Sequence, residues 1–302
     1  MCRSSGPAPL TWREAVNSRN APDEFDAVSL GLTKPTSPGR RRLRRLWNTS
    51  SEIVLPAAVL IVLVAVWEAS VHAFALPVYL LPAPSLIWTE SLAVADTLGG
   101  HTLATLGTVM YGFIASIVVS LPLAVLLTSS RYASATIYPL LVFTQSIPKV
   151  ALAPILVVML GATELPRVIV TFLVAFFPLV IAVAVGLLSV PADLVELGRS
   201  FKANKMQELL RIRLPYAIPF VFSGLKVAIA LSVVGAVVGE FVNADKGLGY
   251  LIVSATAFFR TPVAFGALIL LSVLGVALFQ LVVIIERIFF PWSAESDETV
   301  IV

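Results

Sequence analysis

Three ionisable residues, Lys149, Lys226 and Glu240, stand inside or at the end of long apolar runs. A charge at membrane depth costs at least ~2.5 kcal/mol on insertion scales, so each must face water, pair with a neighbour or snorkel toward an interface. Lys149 lies beside Pro148 and close to Gln145 and Ser146. Facing a water-filled pathway, this group would attract an anionic or strongly polar solute; the alternative is pairing with a neighbouring helix. Lys226 carries the same two readings, and Glu240 reads as a pathway, outer-gate or helix-packing residue. Glu240 lies 14 positions from Lys226, about 21 Å at helical rise, so the two cannot pair along one helix. Catalytic constellations are missing from the sequence: it has no GxxxxGK[ST] phosphate loop, no nucleophile elbow and no HExxH pair. His72 and His101 border an outer loop where nothing completes a metal site, and Cys2 is the only cysteine. The chain is expected to carry no catalytic residue, no metal and no bound cofactor.

The elements that must position these residues are membrane helices. Of 302 residues 58% are hydrophobic and 13% charged, about half the charge fraction of a soluble domain. Six runs are long enough to cross a hydrocarbon layer of about 30 Å: Ile53–Val71, Leu103–Leu127, Ser134–Leu160, Val168–Val190, Ala217–Val238 and Val263–Ile285. The third is overlong and holds Pro148 and Pro154, which predicts a tilted or broken span. Two shorter apolar pieces, Phe74–Trp88 and Tyr250–Phe259, read as interfacial or re-entrant helices. The fold class is therefore all-α and polytopic. Residues 1–46 read as a disordered basic tail ending in Arg40-Arg-Arg-Leu-Arg-Arg45, which suits anionic lipid rather than nucleic acid; 47–292 form the membrane domain and 293–302 a C-terminal tail. With a cytoplasmic N-terminus, sixteen of the 21 Lys and Arg fall inside, three outside and two within spans. Positive-inside bias thus places both termini and the 191–215 segment in the cytoplasm.

That segment, Pro191 to Pro215, is charged and amphipathic between two apolar runs. Pro191 suits a first helical turn, Asp193 complements the helix dipole, and Leu194, Leu197 and Phe201 recur at helical spacing. Asn204 with Gln207 reads as a capping box for a second short helix, which Pro215 is expected to stop. Pattern alone leaves two readings: a docking element for a soluble partner, or a helix lying on the lipid surface. The row Gly224, Ala228, Ser232, Ala236, with Gly235 and Gly239, predicts close helix packing, either within one subunit or between two.

Glu196-Leu197-Gly198 followed by Ile212-Arg-Leu-Pro215 resembles the cytoplasmic loop of binding-protein-dependent ABC importer permeases, with its Glu-Ala-Ala core and later Ile-x-Leu-Pro. Leu81-Pro-Ala-Pro-Ser85, Ile147-Pro-Lys-Val-Ala-Leu-Ala-Pro154, Gly239-Glu-Phe241 and Gly247-Leu-Gly-Tyr250 are similar to the subfamily for nitrate, sulfonate, taurine and vitamin-precursor uptake. Leu197 and Gly198 depart from the core, and Lys202 stands where the family has Gly, which would permit close backbone approach. The resemblance implies a type I importer-like permease of a prokaryotic inner membrane, working as a dimer with a cytoplasmic ABC ATPase pair and an extracytoplasmic solute-binding protein. ATP would be hydrolysed by the partner, and Glu196, Leu197, Gly198, Arg199, Phe201, Lys202, Ile212, Leu214 and Pro215 would form the coupling surface. Organic vitamin precursors of thiamine-pyrimidine or riboflavin type rank ahead of sulfonate, nitrate or taurine. The competing class is an autonomous secondary carrier or channel, which would need an intramembrane ion relay that no cluster of Asp or Glu in the spans supplies.

Overall fold

The computed structural model describes the backbone of residues 38–129 and 131–293, with side chains from Val54 onward apart from Arg131, Ala133, Ser134 and Val142. All regular structure among the described residues is helical: α1 (Pro38–Ala73), α2 (Pro84–Ala93), α3 (Ala95–Ser129), α4 (Arg131–Gln145), α5 (Leu152–Leu160), α6 (Leu165–Leu188), α7 (Ala192–Ser200), α8 (Lys205–Glu208), α9 (Leu214–Val242), α10 (Leu248–Ala257) and α11 (Thr261–Phe289). The chain divides into two compact units, residues 1–65 and 66–302. Of the first, only the helical stretch from Pro38 is described. Helix therefore begins before the boundary expected at residue 46. Arg and Leu are good helix formers, and the run Arg40–Arg45 continues the helix of the first span. Residues 1–37 lie outside the described residues.

Among the described residues five helices are long and apolar enough to span, and a bent pair, taken as one span, makes six. That pair, Ala135–Gln145 and Lys149–Leu160, meets at 73°, at the break the prolines foretell. The α-helical ladder lapses at Ser146-Ile147-Pro148, where the Ser146 and Ile147 N–H groups reach back only three residues, to the Phe143 and Thr144 carbonyls, and a 3-10 turn at Lys149–Ala151 restarts the chain. Helix α2 begins only at Pro84, so the apolar piece Phe74–Trp88 is a turn leading into a helix rather than one element.

Pro215 does not stop a helix. A π-turn at Leu209–Arg213 carries the chain from α8 into α9, and Lys205–Val242 counts as one span. The Leu214 N–H reaches back five residues to the Leu209 carbonyl. Pro215 then falls in the first turn of α9, where its missing N–H costs nothing.

The core of the second unit is α6 held between α3 and α9, with Val109, Phe113, Leu179, Val183, Ile229 and Val233 among its buried residues. Thr171 of α6 fits a slot with glycine on both walls. A Cβ at Gly235 would stand 2.8 Å from the Thr171 Cα, and one at Gly112 would overlap the Thr171 side chain. Gly224 likewise abuts Ala182, and Gly239 abuts Arg167. The small-residue row of α9 thus packs within one subunit, against α6.

Candidate functional site

Residues 189–215 form a built elbow rather than a loop. Asn204 Oδ1 accepts the Gln207 N–H at 2.8 Å, and Gln207 Oε1 accepts the Asn204 N–H at 2.9 Å, a reciprocal capping box that starts α8. Helix α7 ends in a Schellman arrangement: the Ala203 N–H donates to the Gly198 carbonyl at 3.1 Å, and the Lys202 N–H to the Arg199 carbonyl at 2.8 Å. Lys202 occupies the left-handed position, with φ of 57°. This is the physical meaning of the departure from glycine there. The demand is on backbone conformation, and a non-glycine residue in that region costs roughly 1–2 kcal/mol.

The two arms of the elbow are locked by charge. Glu208 is buried, and its carboxylate accepts from Arg213 Nε at 2.8 Å and from Arg199 Nε at 3.3 Å. Arg213 also donates through Nη1 to the Leu187 carbonyl at 3.4 Å, tying the elbow to the end of α6. Gly198 faces Ile212 closely enough that a Cβ would overlap its Cδ1, so α7 and the π-turn touch at that point. Val195 is buried, whereas Leu194, Leu197, Phe201, Met206 and Leu210 are exposed; Phe201 keeps 81% of its surface. Glu196 is exposed on α7, and Leu214 and Pro215 lie exposed where α9 begins. The result is a rigid scaffold with an uncovered apolar face, the shape of a helix-in-groove ligand. Replacing Glu208 with Gln should weaken the elbow by about 1–2 kcal/mol, at the modest end because Arg199 remains largely in solvent. Hydrogen exchange across residues 195–213 checks this: protection should fall there while α6 stays protected.

The pathway candidates separate into three environments. Gln145 and Ser146 are exposed at the break of the bent pair, and half-buried Lys149 holds its ammonium 4.9 Å from the centre of the Phe177 ring on α6. Lys226 pairs with Glu286 of α11, Nζ to Oε2 at 2.9 Å, with 14% and 2% of the two side chains exposed. This is the pairing with a neighbouring helix that the sequence left open. Ser293 Oγ donates to the other Glu286 oxygen at 2.7 Å. Ser293 is thus buried in the membrane domain rather than starting a tail, because it completes the hydrogen bonding of a buried carboxylate; residues 294–302 lie outside the described residues.

Glu240, 2% exposed, serves a helix start. Its Oε2 accepts the Gly249 N–H at 2.8 Å and the Thr105 hydroxyl at 3.1 Å, and Thr105 accepts the Leu248 N–H at 2.7 Å. His101 Nδ1 accepts the Gly247 N–H at 3.0 Å. A Cβ at Gly247 would collide with the carboxylate, and its φ of 125° also demands glycine. Sequence reasoning missed the parallel at α2, where Glu68 accepts the Ser85 N–H at 3.0 Å and its hydroxyl at 2.7 Å. One signal could have found both. The N-cap residues Ala83 and Gly247 have no side-chain acceptor, so the free N–H groups of α2 and α10 must find one on another element.

Five or six candidate spans among the described residues, all helical, with a scaffolded apolar elbow between two of them, define a polytopic membrane protein. Residues 116–292 match the family of binding-protein-dependent transport system inner membrane components, and the chain belongs to that family of ABC importer permeases, multi-pass proteins of the inner membrane. It is 35% identical over 262 residues to the riboflavin transport system permease protein RibX of Chloroflexus aurantiacus, covering 85% of this chain and 96% of the relative. Over 248 residues it is 34% identical to the formylaminopyrimidine transport permease protein ThiX of Halalkalibacterium halodurans, covering 82% and 99%. The fold matches the inward-facing MetNI methionine ABC transporter with a TM-score of 0.56 at 23% identity, covering 63% of this chain and 94% of that one.

Proposed function

We propose that this chain is the pathway-forming subunit of an importer powered by a separate ATPase, which docks on the elbow at 191–215. The observation that carries this reading is the exposed face of Leu194, Leu197, Phe201, Met206 and Leu210 on a scaffold braced from behind by Glu208, Arg199 and Arg213. An apolar face left open on a rigid support suits a groove in a partner, and the Arg213 tie to α6 gives movement of that partner a route into the membrane helices. Two copies of the chain frame the pathway, both termini lie in the cytoplasm, and a binding protein delivers solute to the opposite face. The solute is a small organic vitamin precursor, a heteroaromatic of the thiamine-pyrimidine or riboflavin kind, in keeping with what the two named relatives carry. The chain binds no cofactor, and ATP is consumed by the partner.

Replacing Phe201 with Ala should reduce recovery of ATPase activity with the tagged chain at least tenfold, as loss of a central aromatic anchor does. Unchanged recovery would contradict docking at this face. Proteoliposomes separate the carrier reading: uptake by this chain alone, without ATP or a second subunit, would establish an autonomous transporter.

A further inference from the structure

Among the described residues, three other than glycine adopt left-handed backbone, Ala75, Lys202 and Phe259, and all three stand at the same place in their helices. Each follows the C-cap of a helix closed by Schellman bonds: Leu76 N–H to the Val71 carbonyl at 3.1 Å for α1, Ala203 to Gly198 for α7, and Arg260 N–H to the Ala255 carbonyl at 2.8 Å for α10. Glycine is the ordinary residue at that position, and a bulky one retained there points to a use for its side chain. Phe259 has such a use within the chain, since its ring meets Tyr79 edge-on at 6.4 Å. Ala75 carries only a methyl group. Lys202 differs from both: its side chain is exposed and makes none of the ion pairs seen among the described residues. Among the described residues, then, no ion pair offsets the strain. Of the basic residues near Phe201 in the chain, Arg199 shares the Glu208 carboxylate with Arg213, whereas Lys202 and Lys205 make none of the ion pairs seen among the described residues.

We propose that Lys202 is a partner-selecting residue, whose ammonium meets a carboxylate on the rim of the ATPase groove that receives Phe201. The strained backbone aims the side chain out of the elbow beside that anchor. A partner lacking the acid would leave a desolvated ammonium unmatched, so the contact discriminates between ATPase subunits as well as adding affinity. This inference rests on the docking reading and refines it.

The test uses the full-length chain with its ATPase subunit and compares Lys202→Gly with Lys202→Gln. In the free permease, Lys202→Gly should raise hydrogen-exchange protection of the amides at 202 and 203 roughly fivefold, because the strain is relieved. In the complex, both variants should bind the ATPase roughly tenfold more weakly, and the Gln variant should lose most of the salt dependence of the wild-type affinity. Tighter local structure with weaker association is the signature, since a merely structural lysine would move both in the same direction. Association of Lys202→Gly equal to or tighter than wild type overturns the proposal, as does equal salt dependence for wild type and Lys202→Gln. Phe201→Ala separates the two levels. If it abolishes association while both Lys202 variants bind normally, only the charge contact fails; if it binds normally, the docking reading itself fails.

Discussion

Replacing Glu286 with Leu is expected to destabilise the detergent-solubilised chain by about 3 kcal/mol, seen as a fall in unfolding midpoint on the order of 5–10 °C. The carboxylate sits 2.9 Å from the Lys226 ammonium, and both side chains are nearly sealed from solvent. Lys226 lies twelve residues into α9, about 18 Å from its start, so removing the acid takes a counter-charge from an ammonium at membrane depth. The Ser293 hydroxyl loses its acceptor at the same time, and with it a contact that seals the end of α11. The double variant Glu286→Leu with Lys226→Met should recover to within about 1 kcal/mol of wild type, because apolar side chains fill the site without the desolvation cost of two ions. A double variant no more stable than Glu286→Leu alone would show that the pair is not the origin of the loss.

Gly235→Leu should prevent compact assembly of the helical core. The Thr171 Cα stands 2.8 Å from where a Cβ would begin, and backbone cannot yield as a side-chain tip can. Thr171 is wholly buried, its hydroxyl is committed to the Arg167 carbonyl at 2.8 Å, and its far side meets Gly112 of α3. Helix α6 therefore has nowhere to retreat, and the cost is at or above the ~3 kcal/mol upper range of ordinary overpacking. Size-exclusion chromatography should show loss of the monodisperse peak. Gly100→Ala in α3 is the matched control: nothing lies within 4 Å of its Cβ, so that variant should purify as wild type or slightly better.

What the residue order discloses tracks how local the physics is. The capping box at Asn204 and Gln207 and the break at Pro148 are written in neighbouring residues, and both are read directly from the chain. The elbow near Ala203 follows from the same local grammar. Pro215 reads as a helix stop by a proline's usual effect, whereas the π-turn just before it shifts the hydrogen-bond register. The Lys226–Glu286 pair joins residues on two helices separated by α10, and no spacing rule connects them. Glu208 is one charge among many in the residue order, and only the fold-back of the two short helices sets its carboxylate between Arg199 and Arg213. Lys202 stands out in the residue order as a departure from glycine, and only the backbone adds its φ of 57°.

The central claim is that 191–215 is a structured cytoplasmic elbow covered by an ATPase. Cys2 is the single native cysteine, so Cys2→Ser with Leu197→Cys provides one reporter on the exposed face. Labelling by a membrane-impermeant maleimide should fail in intact cells and succeed in inverted vesicles stripped of peripheral proteins. It should be suppressed when the ATPase subunit is restored. Labelling from outside intact cells, or labelling of inverted vesicles that the ATPase leaves unchanged, would contradict the account.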